Sequence, residues 1–600
     1  MYNMAMSWFD DEEYISDEED TSSRHNWRML KGLLPYFKKY LRKITLAALL
    51  LLVSTLLTLL GPVIIKHAID FEIPQRNLAG ILILSVFYLV IQLLVVIIRY
   101  FQQIEIAVVG EKAIADLKDD LFKHILNVPV PFFDQNPVGR LITRVEGDTE
   151  TLKNLFSSTA VVLAQDLALL VGMSVVMVVI NFRLYLIIFA MLPIFLYGFW
   201  WFGKNVRPVY VGLRRKIAQI NSFVVESLKG LHVVQAFRQE DKFIKKIDSL
   251  GQEKFDQEMK AMTFWYRIWF LVDIGEVIGI VLVLGIGGVW AMRGLVSLGA
   301  LFIFISYITR LFGPLRGLSD QFNMVERAFA SAERVFDILG MSSEHDRSET
   351  VAIRDFKTDI RFTGLNFAYE KDNWVLQDLN LSVNKGEKVA IIGATGAGKS
   401  SIISLLLKFY QCQTGDVLID GLRLSTIDRK SLRKKIGFVS QDVVLFPGSV
   451  FENLRLFDDG VLAETVTQAA VRSQIHERIL SFPKGYETNI IEQGINLSYG
   501  EKQLISFVRA LVLDPDILIL DEATSSVDPE SERLIQKGMT ELLQGRTAII
   551  IAHRLTTTRL ADRIFVLHQG RLVEQGTHDA LLQKKGHYYS FYCLQYLDAG

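Results

Sequence analysis

The chain has 600 residues, half of them hydrophobic, and a formal net charge of −1. That length exceeds a single hydrophobic core, so several domains are expected, and the even charge balance exerts no overall pull toward nucleic acid. Its two cysteines, Cys412 and Cys593, are too few and too scattered for a disulfide framework or a thiolate metal site, and suit a reducing compartment.

Residues 1–24 open with the acidic stretch "DDEEYISDEED". It reads as a solvated cytoplasmic tail, or as a segment that docks on a basic partner surface. The first apolar run is too long for a cleaved leader and lacks a small-residue cleavage site. Six nearly uncharged runs follow, at residues 44–65, 78–98, 159–180, 184–202, 270–292 and 295–312. Spanning about 30 Å of hydrocarbon takes roughly 20 helical residues, so each run predicts one transmembrane helix. The expected fold of residues 25–340 is therefore an α-helical polytopic membrane domain. Arg24, Arg28, Lys31, Lys38, Lys39, Arg42 and Lys43 precede the first span, whereas the link "DFEIPQRN" after it carries one arginine. The bias of basic residues places the N-terminus in the cytoplasm, and six spans return the second half of the chain to the same side.

Residues 99–158 and 203–269 are charged but keep a helical period, as in "KAIADLKDDLFKHIL" and "RRKIAQINSFVVESLKGLHVVQAF". The membrane helices are expected to continue into the cytoplasm as two long hairpins. Within the spans, Asp273 and Glu276 lie three apart on one helix face, and Gln92, Arg99 and Gln103 share another. Charge at membrane depth is costly and faces a cavity or a partner. Gln92, Arg99, Asp273 and Glu276 are the candidate cavity residues. The carboxylates would favour a cationic amphiphile; equally, they fit an interface or an ion pair with Arg99. The aromatic stretch "FWYRIWF" at 264–270 reads as an interfacial belt.

A polar linker, residues 341–352, precedes a soluble domain over residues 353–595. The runs "KVAIIGA", "KIGFVS", "ILILDEA", "TAIIIAH" and "RIFVLHQG" predict strands of a parallel sheet covered on both faces, an α/β domain. In "KVAIIGATGAGKSSIISLLL" a strand runs into a glycine loop and the loop into a helix. Gly393, Ala394, Thr395, Gly396, Ala397, Gly398, Lys399 and Ser400 form the P-loop pattern, in which backbone N–H groups and a helix N-terminus hold phosphates. Lys399 is placed for the β- and γ-phosphates and Ser400 for Mg2+. The run "DILILDEATSSVD" delivers Asp521 and Glu522 at a strand tip. Asp521 suits the Mg2+ shell and Glu522 suits polarising an attacking water, although both residue types also suit a helix N-cap.

The P-loop, "LSYGE", "LDEATSSVD" and "IAHR", in that order, resemble the nucleotide-binding domain of an ABC transporter, and the six-span region resembles that of an exporter half-transporter. The resemblance covers about residues 25–595 and is nearest to bacterial multidrug-type exporters. It implies ATP and Mg2+ as cofactors, a bilayer in the bacterial plasma membrane, an amphiphilic small-molecule cargo and a second half-transporter as partner. Lipid flippases, peptide exporters and non-transporting regulators share the architecture. The resemblance further implies that Tyr369 stacks on adenine, that Ser401 joins the nucleotide site, that Gln441 joins Mg2+ to the membrane domain, that His553 contacts the γ-phosphate and that Asp528 crosses between two ATP sites.

Ser498, Tyr499, Gly500 and Glu501 match the family's signature loop, which touches ATP bound to the partner subunit. The family's usual form is Leu-Ser-Gly-Gly-Gln, so Tyr499 replaces a glycine and Glu501 a glutamine. Two readings follow: harmless variation, or a weakened partner site of the kind heterodimeric exporters carry. A heterodimer is favoured, with Glu522 serving the competent site. The two cytoplasmic turns, expected near Gly147–Leu152 and Leu228–Val234, correspond in the family to short coupling helices.

Overall fold

The computed structural model describes residues 31–341, 351–370, 373–521, 529–552 and 555–597. The chain divides into two compact units: the described residues of 1–128 and 136–342, and those of 129–135 and 343–600.

The first unit is helical. Its elements are α1 (Leu41–His67, prolonged by a wide turn to Glu72), α2 (Leu78–Ile125), α4 (Val138–Ile180), α5 (Phe182–Lys229), α6 (Leu231–Ala236), α7 (Glu240–Met292) and α8 (Leu298–Leu339); α3 (Val130–Gln135) belongs to the second unit. Helices α1, α2, α4, α5 and α7 are each long and apolar enough to cross a membrane, and α8 opens with a shorter apolar run, Leu298–Pro314. Together they account for the six expected spans. Polar caps set the starts: the side chains of Asn77, Asn181 and Ser297 accept from the N–H groups of Gly80, Leu184 and Ala300. The Ser297 cap explains why α8 starts three residues later than its apolar run suggested.

The spans do continue far beyond a bilayer. Helix α2 has 48 residues, about 72 Å at 1.5 Å per residue. The second turn falls where expected, with α6 following Gly230. The first does not: Gly147–Leu152 lies inside α4, and the turn occupies the segment around α3. Prolines explain the difference. Pro129, Pro131 and Pro137 crowd that segment, and each removes an N–H donor, whereas one glycine inside a helix costs only about 1 kcal/mol.

Two polar ties brace the bundle. Asp70, near the end of α1, accepts from Lys66 Nζ (2.8 Å), Ser297 Oγ (2.6 Å) and Gly299 N (2.8 Å), fastening the start of α8 to α1. Asp148 on α4 is 7% exposed and receives a bidentate Arg334 (Nη2 2.5 Å, Nε 2.9 Å) and Ser331 Oγ (2.9 Å), both from α8. Between these ties the core packs Leu59, Met173, Phe195, Val272, Phe304 and Tyr307.

The second unit contains β1 (Asp359–Ala368), β2 (Trp374–Asn384), β3 (Lys388–Ile392), α9 (Lys399–Leu406), β4 (Thr414–Ile419), β5 (Ile436–Val439), α10 (Tyr499–Val512), β6 (Ile517–Asp521), β7 (Thr547–Ile551), β8 (Arg563–His568) and β9 (Arg571–Gly576). One sheet has the order β9-β8-β3-β7-β6-β5, parallel except for β9. All five sequence-expected strands lie in it. Strands β6 and β7 are buried along nearly their whole length, as helices on both faces of a parallel sheet require. A second, antiparallel sheet joins β2, β1 and β4, with the two-residue strand Leu422–Arg423 at its edge. No strand of that sheet was anticipated.

Candidate functional site

Strand register builds the site. Val439 of β5 pairs with Leu520, Leu520 with Ile550 and Ile550 with Ala390. Four parallel strands therefore end together, and ligands of open α/β sheets bind outside such carboxyl ends. From this edge leave the Gly393–Ser400 loop, Gln441 and Asp521. Gln441 is exposed, and Asp521 is half-buried at the tip of β6. Glu522, Asp528 and His553 lie outside the described residues; in sequence, Glu522 follows directly on β6 and His553 comes two residues after β7.

The glycine loop between β3 and α9 is tight. A Cβ on Gly393 would stand 2.4 Å from the Leu567 carbonyl oxygen, and one on Gly398 would stand 2.5 Å from Leu376 Cδ2. Gly398 also holds φ +95°, a conformation that side-chain-bearing residues avoid. Lys399 is buried, and its Nζ donates to the Gly393 (2.8 Å) and Ala394 (3.1 Å) carbonyls, curling the loop around the ammonium group. Ala394, Thr395 and Gly396 are exposed on the loop's rim, Ala397 is buried beneath them, and Ser400 is exposed in the first turn of α9. A buried cation under a glycine-lined loop, at a helix start that carries partial positive charge, fits a polyphosphate.

Tyr369 follows β1 directly and is 46% exposed. Its hydroxyl pairs with Ser401 Oγ at 3.0 Å, and Phe367 and Tyr410 contact its ring edge-on at 4.8 and 4.9 Å between centroids. The ring is thus fixed beside the glycine loop while much of it stays open, the geometry a base-stacking surface needs. Behind it, the Tyr410 hydroxyl donates to Asp134 of α3; burial first, and then this carboxylate, push the phenol pKa upward.

Ser498 caps α10, and the local chemistry settles where Glu501 points. Ser498 Oγ accepts from Glu501 N (3.2 Å) and Ser498 N donates to Glu501 Oε2 (2.8 Å), a reciprocal capping box. Arg478 Nη2 donates to Glu501 Oε1 at 2.8 Å. The carboxylate is therefore folded back on its own helix and neutralised. Gly500 is buried, and the Tyr499 hydroxyl donates to the Gln441 carbonyl oxygen at 3.1 Å.

Sequence reasoning missed the brace behind this contact. Arg509 of α10 donates to the carbonyls of Val444 (2.9 Å) and Asn453 (3.0 Å) and to Asn453 Oδ1 (3.2 Å), while the Asn453 side chain accepts from Phe446 N and donates to Phe446 O. Burial lowers the Arg509 pKa to about 10. A lone cation in the apolar stretch "LISFVRALV" was the available signal.

In the first unit, Arg99 Nη2 donates to Thr58 Oγ1 of α1 (3.2 Å), and Gln92 Nε2 lies 3.3 Å from where a Gly61 Cβ would stand. Asp273 is exposed and Glu276 half-buried on α7, and each is engaged by a neighbour. The same helix buries Gly275 against Phe195 and Gly279 against Ile308.

Comparison with known proteins agrees with this architecture. Residues 44–315 match the family model of the ABC transporter transmembrane region and residues 376–525 that of the ABC transporter. The chain is 32% identical over 592 residues to an uncharacterised ABC transporter ATP-binding protein, YfiC, of Bacillus subtilis, covering 97% of each. It is 34% identical over 532 residues to the "Probable multidrug resistance ABC transporter ATP-binding/permease protein YheH" of the same organism, covering 88% of this chain and 78% of that one. Identity to an ATP-dependent lipid A-core flippase of Syntrophus aciditrophicus is 31% over 574 residues, 95% of each. A solved structure of a bacterial Atm1-family ABC exporter with ATP bound superposes with TM-score 0.77 at 27% identity, covering 92% of this chain and 98% of that one.

Proposed function

Since the chain belongs to the ABC transporters, as an exporter-type membrane region fused to an ABC ATPase domain that couples ATP hydrolysis to transport, we propose that it exports amphiphilic small molecules across the bacterial plasma membrane. The ATPase domain faces the cytoplasm in this reading. ABC exporters work as dimers in a bilayer, and we propose that this chain pairs with a different half-transporter.

The observation that carries the reading is the shared edge of β3, β7, β6 and β5, with the Lys399 loop, Gln441 and Asp521 issuing from it. The loop binds the β- and γ-phosphates and Tyr369 stacks on the adenine. Ser400, Gln441 and Asp521 would hold Mg2+, whose charge offsets that of the phosphates. Glu522 orients the attacking water as general base, and His553 contacts the γ-phosphate; such positioning and charge supply most of phosphoryl-transfer catalysis. Asp528 crosses toward the second ATP site. Ser498, Tyr499 and Gly500 face the ATP of the partner subunit, with Glu501 turned back to hold their loop, so two nucleotides draw the ATPase domains together and hydrolysis parts them. This cycle alternately exposes a membrane site to either side.

Glu522→Gln tests the assignment: ATP binding persists while turnover falls by a factor on the order of 10²–10⁴. Undiminished turnover would remove Glu522 from its role. A purified, stable homodimer with full ATPase activity would overturn the heterodimer. A lipid flippase is the second reading, favoured by the likeness to a lipid A-core flippase; comparing transport of labelled lipid with that of a cationic dye separates the two.

A further inference from the structure

Two guanidinium groups of the membrane helices meet at one threonine: Arg99, a candidate cavity residue from the sequence, and Arg310, which the sequence did not single out. Arg99 of α2 donates to Thr58 Oγ1 (3.2 Å), and Arg310 of α8 approaches the Thr58 carbonyl oxygen at 3.5 Å. Neither arginine has an ion-paired carboxylate among the described residues. Arg99 Nε is buried without a hydrogen-bond partner, and so is the hydroxyl of Thr55, one turn before Thr58 on the same face of α1.

Thr58 and Arg310 lie within the spans, and Arg99 stands at the cytoplasmic end of the second. Arg310 is twelve residues into α8, about 18 Å from its start at 1.5 Å per residue, and Thr58 is fourteen residues before Glu72, about 21 Å. Arg99 is about 32 Å from the start of α2, but its long side chain leans back toward the helix N-terminus. Asp70 ties the start of α8 to the end of α1, so these depths are counted from one end of the bundle. With a hydrocarbon core of about 30 Å, Thr58 and Arg310 fall within its cytoplasmic half, and the Arg99 guanidinium reaches Thr58 from the cytoplasmic edge. Two like charges there, sharing one threonine, repel in a medium that screens poorly; an arginine at such depth requires a counter-charge.

We infer that Arg99, Arg310, Thr55 and Thr58 form a binding site for the anionic headgroup of an amphiphile, a phosphate or carboxylate presented at membrane depth. Guanidinium forks match such oxyanions in geometry as well as in charge, and Thr55 offers a further donor. The inference rests on the export reading and reverses the cargo preference that Asp273 and Glu276 suggested, since both of those carboxylates already have partners.

The test uses the full-length protein, with its companion subunit, in phosphatidylcholine nanodiscs. Equilibrium binding of radiolabelled dodecyl phosphate is compared with that of dodecyltrimethylammonium, a cation of equal chain length. The phosphate amphiphile binds more tightly, and Arg99→Gln and Arg310→Gln each weaken it about tenfold or more, the worth of a charge-assisted hydrogen bond. Arg99→Lys keeps the charge but not the fork and weakens binding less than Arg99→Gln does, a graded loss that separates loss of the site from loss of the fold. Competition by phosphatidic acid in the nanodisc assigns the site to a lipid headgroup, and competition by inorganic phosphate assigns it to a free anion. Equal binding of the two amphiphiles, or indifference to both glutamine variants, overturns the inference. An absence of ATPase activity in the same nanodiscs would instead strike the export reading itself, so the two failures are distinguishable.

Discussion

Glu501→Gln decides whether the altered signature is a defect. The family glutamine is restored by exchanging one side-chain atom. A carboxylate facing a partner's triphosphate would oppose its binding, and removing it would raise turnover by an order of magnitude or more. The geometry here predicts otherwise. Glu501 turns back to Ser498 N (2.8 Å) and to Arg478 (2.8 Å), and its side chain is only 14% exposed. Glutamine can keep the capping box but loses the ion pair. Arg478 is 45% exposed, so that pair is worth about 0.5 kcal/mol after solvent screening. For a unit of this size the loss lowers the melting temperature by roughly 1–2 °C. Expected, then, is a marginal change in thermal unfolding and ATPase activity within about twofold of the parent, since the replaced charge was already neutralised. The assay is steady-state phosphate release by the full-length protein with its companion, alongside a melting curve. A tenfold rise in turnover would mean that Glu501 faces the nucleotide, and the structural argument would be wrong.

Two further outcomes follow from the geometry. Gly398→Ala forces a Cβ to within 2.5 Å of Leu376 Cδ2 at φ +95°, a conformation costing about 1–2 kcal/mol before any clash, so fluorescent-nucleotide titration should show affinity falling about tenfold or more, and binding within twofold would dismiss the cradle. Arg334→Ala strands Asp148, 7% exposed, with Ser331 alone; discounted for the partial exposure of Arg334, the cost is about 2–3 kcal/mol, read as a lower melting temperature in detergent that the double variant with Asp148→Ala partly restores.

The sequence was most legible where physics acts locally. Five buried strands, six apolar spans and one glycine loop each carry their signal within about twenty residues, and all appear in the structure. Legibility failed where a partner lies far away in the chain. Register shifts interrupt the alternation of β1 against both its neighbours, whereas β2 does alternate, with Leu379, Leu381 and Val383 inward, and was passed over. Asp148 and Arg334 are 186 residues apart, and neither is unusual in its own helix. The misplaced first turn has another cause: it was set by likeness to a family pattern, whereas Pro129, Pro131 and Pro137 mark the break in the helix directly. Glu501 was legible as a departure but not as a capping residue, because the Ser-x-x-Glu spacing was set against a family pattern rather than tested as a helix start.

That capping box changes what Tyr499 means. A tyrosine at a glycine position reads as an obstruction to nucleotide, but its hydroxyl is bonded to the Gln441 backbone, 58 residues away. Arg509 and Asn453 fasten the following segment, Val444 to Phe446, to the same helix. Residues 441–453 and α10 are therefore held by two sets of hydrogen bonds, one at the start of the helix and one in its last turn. On the proposed roles, Gln441 reads the chain's own nucleotide and Ser498 the partner's. Tyrosine at 499 adds a hydrogen bond between those segments that a glycine would lack. On those proposed roles the tyrosine is a tie between the two readers and not an obstruction to nucleotide.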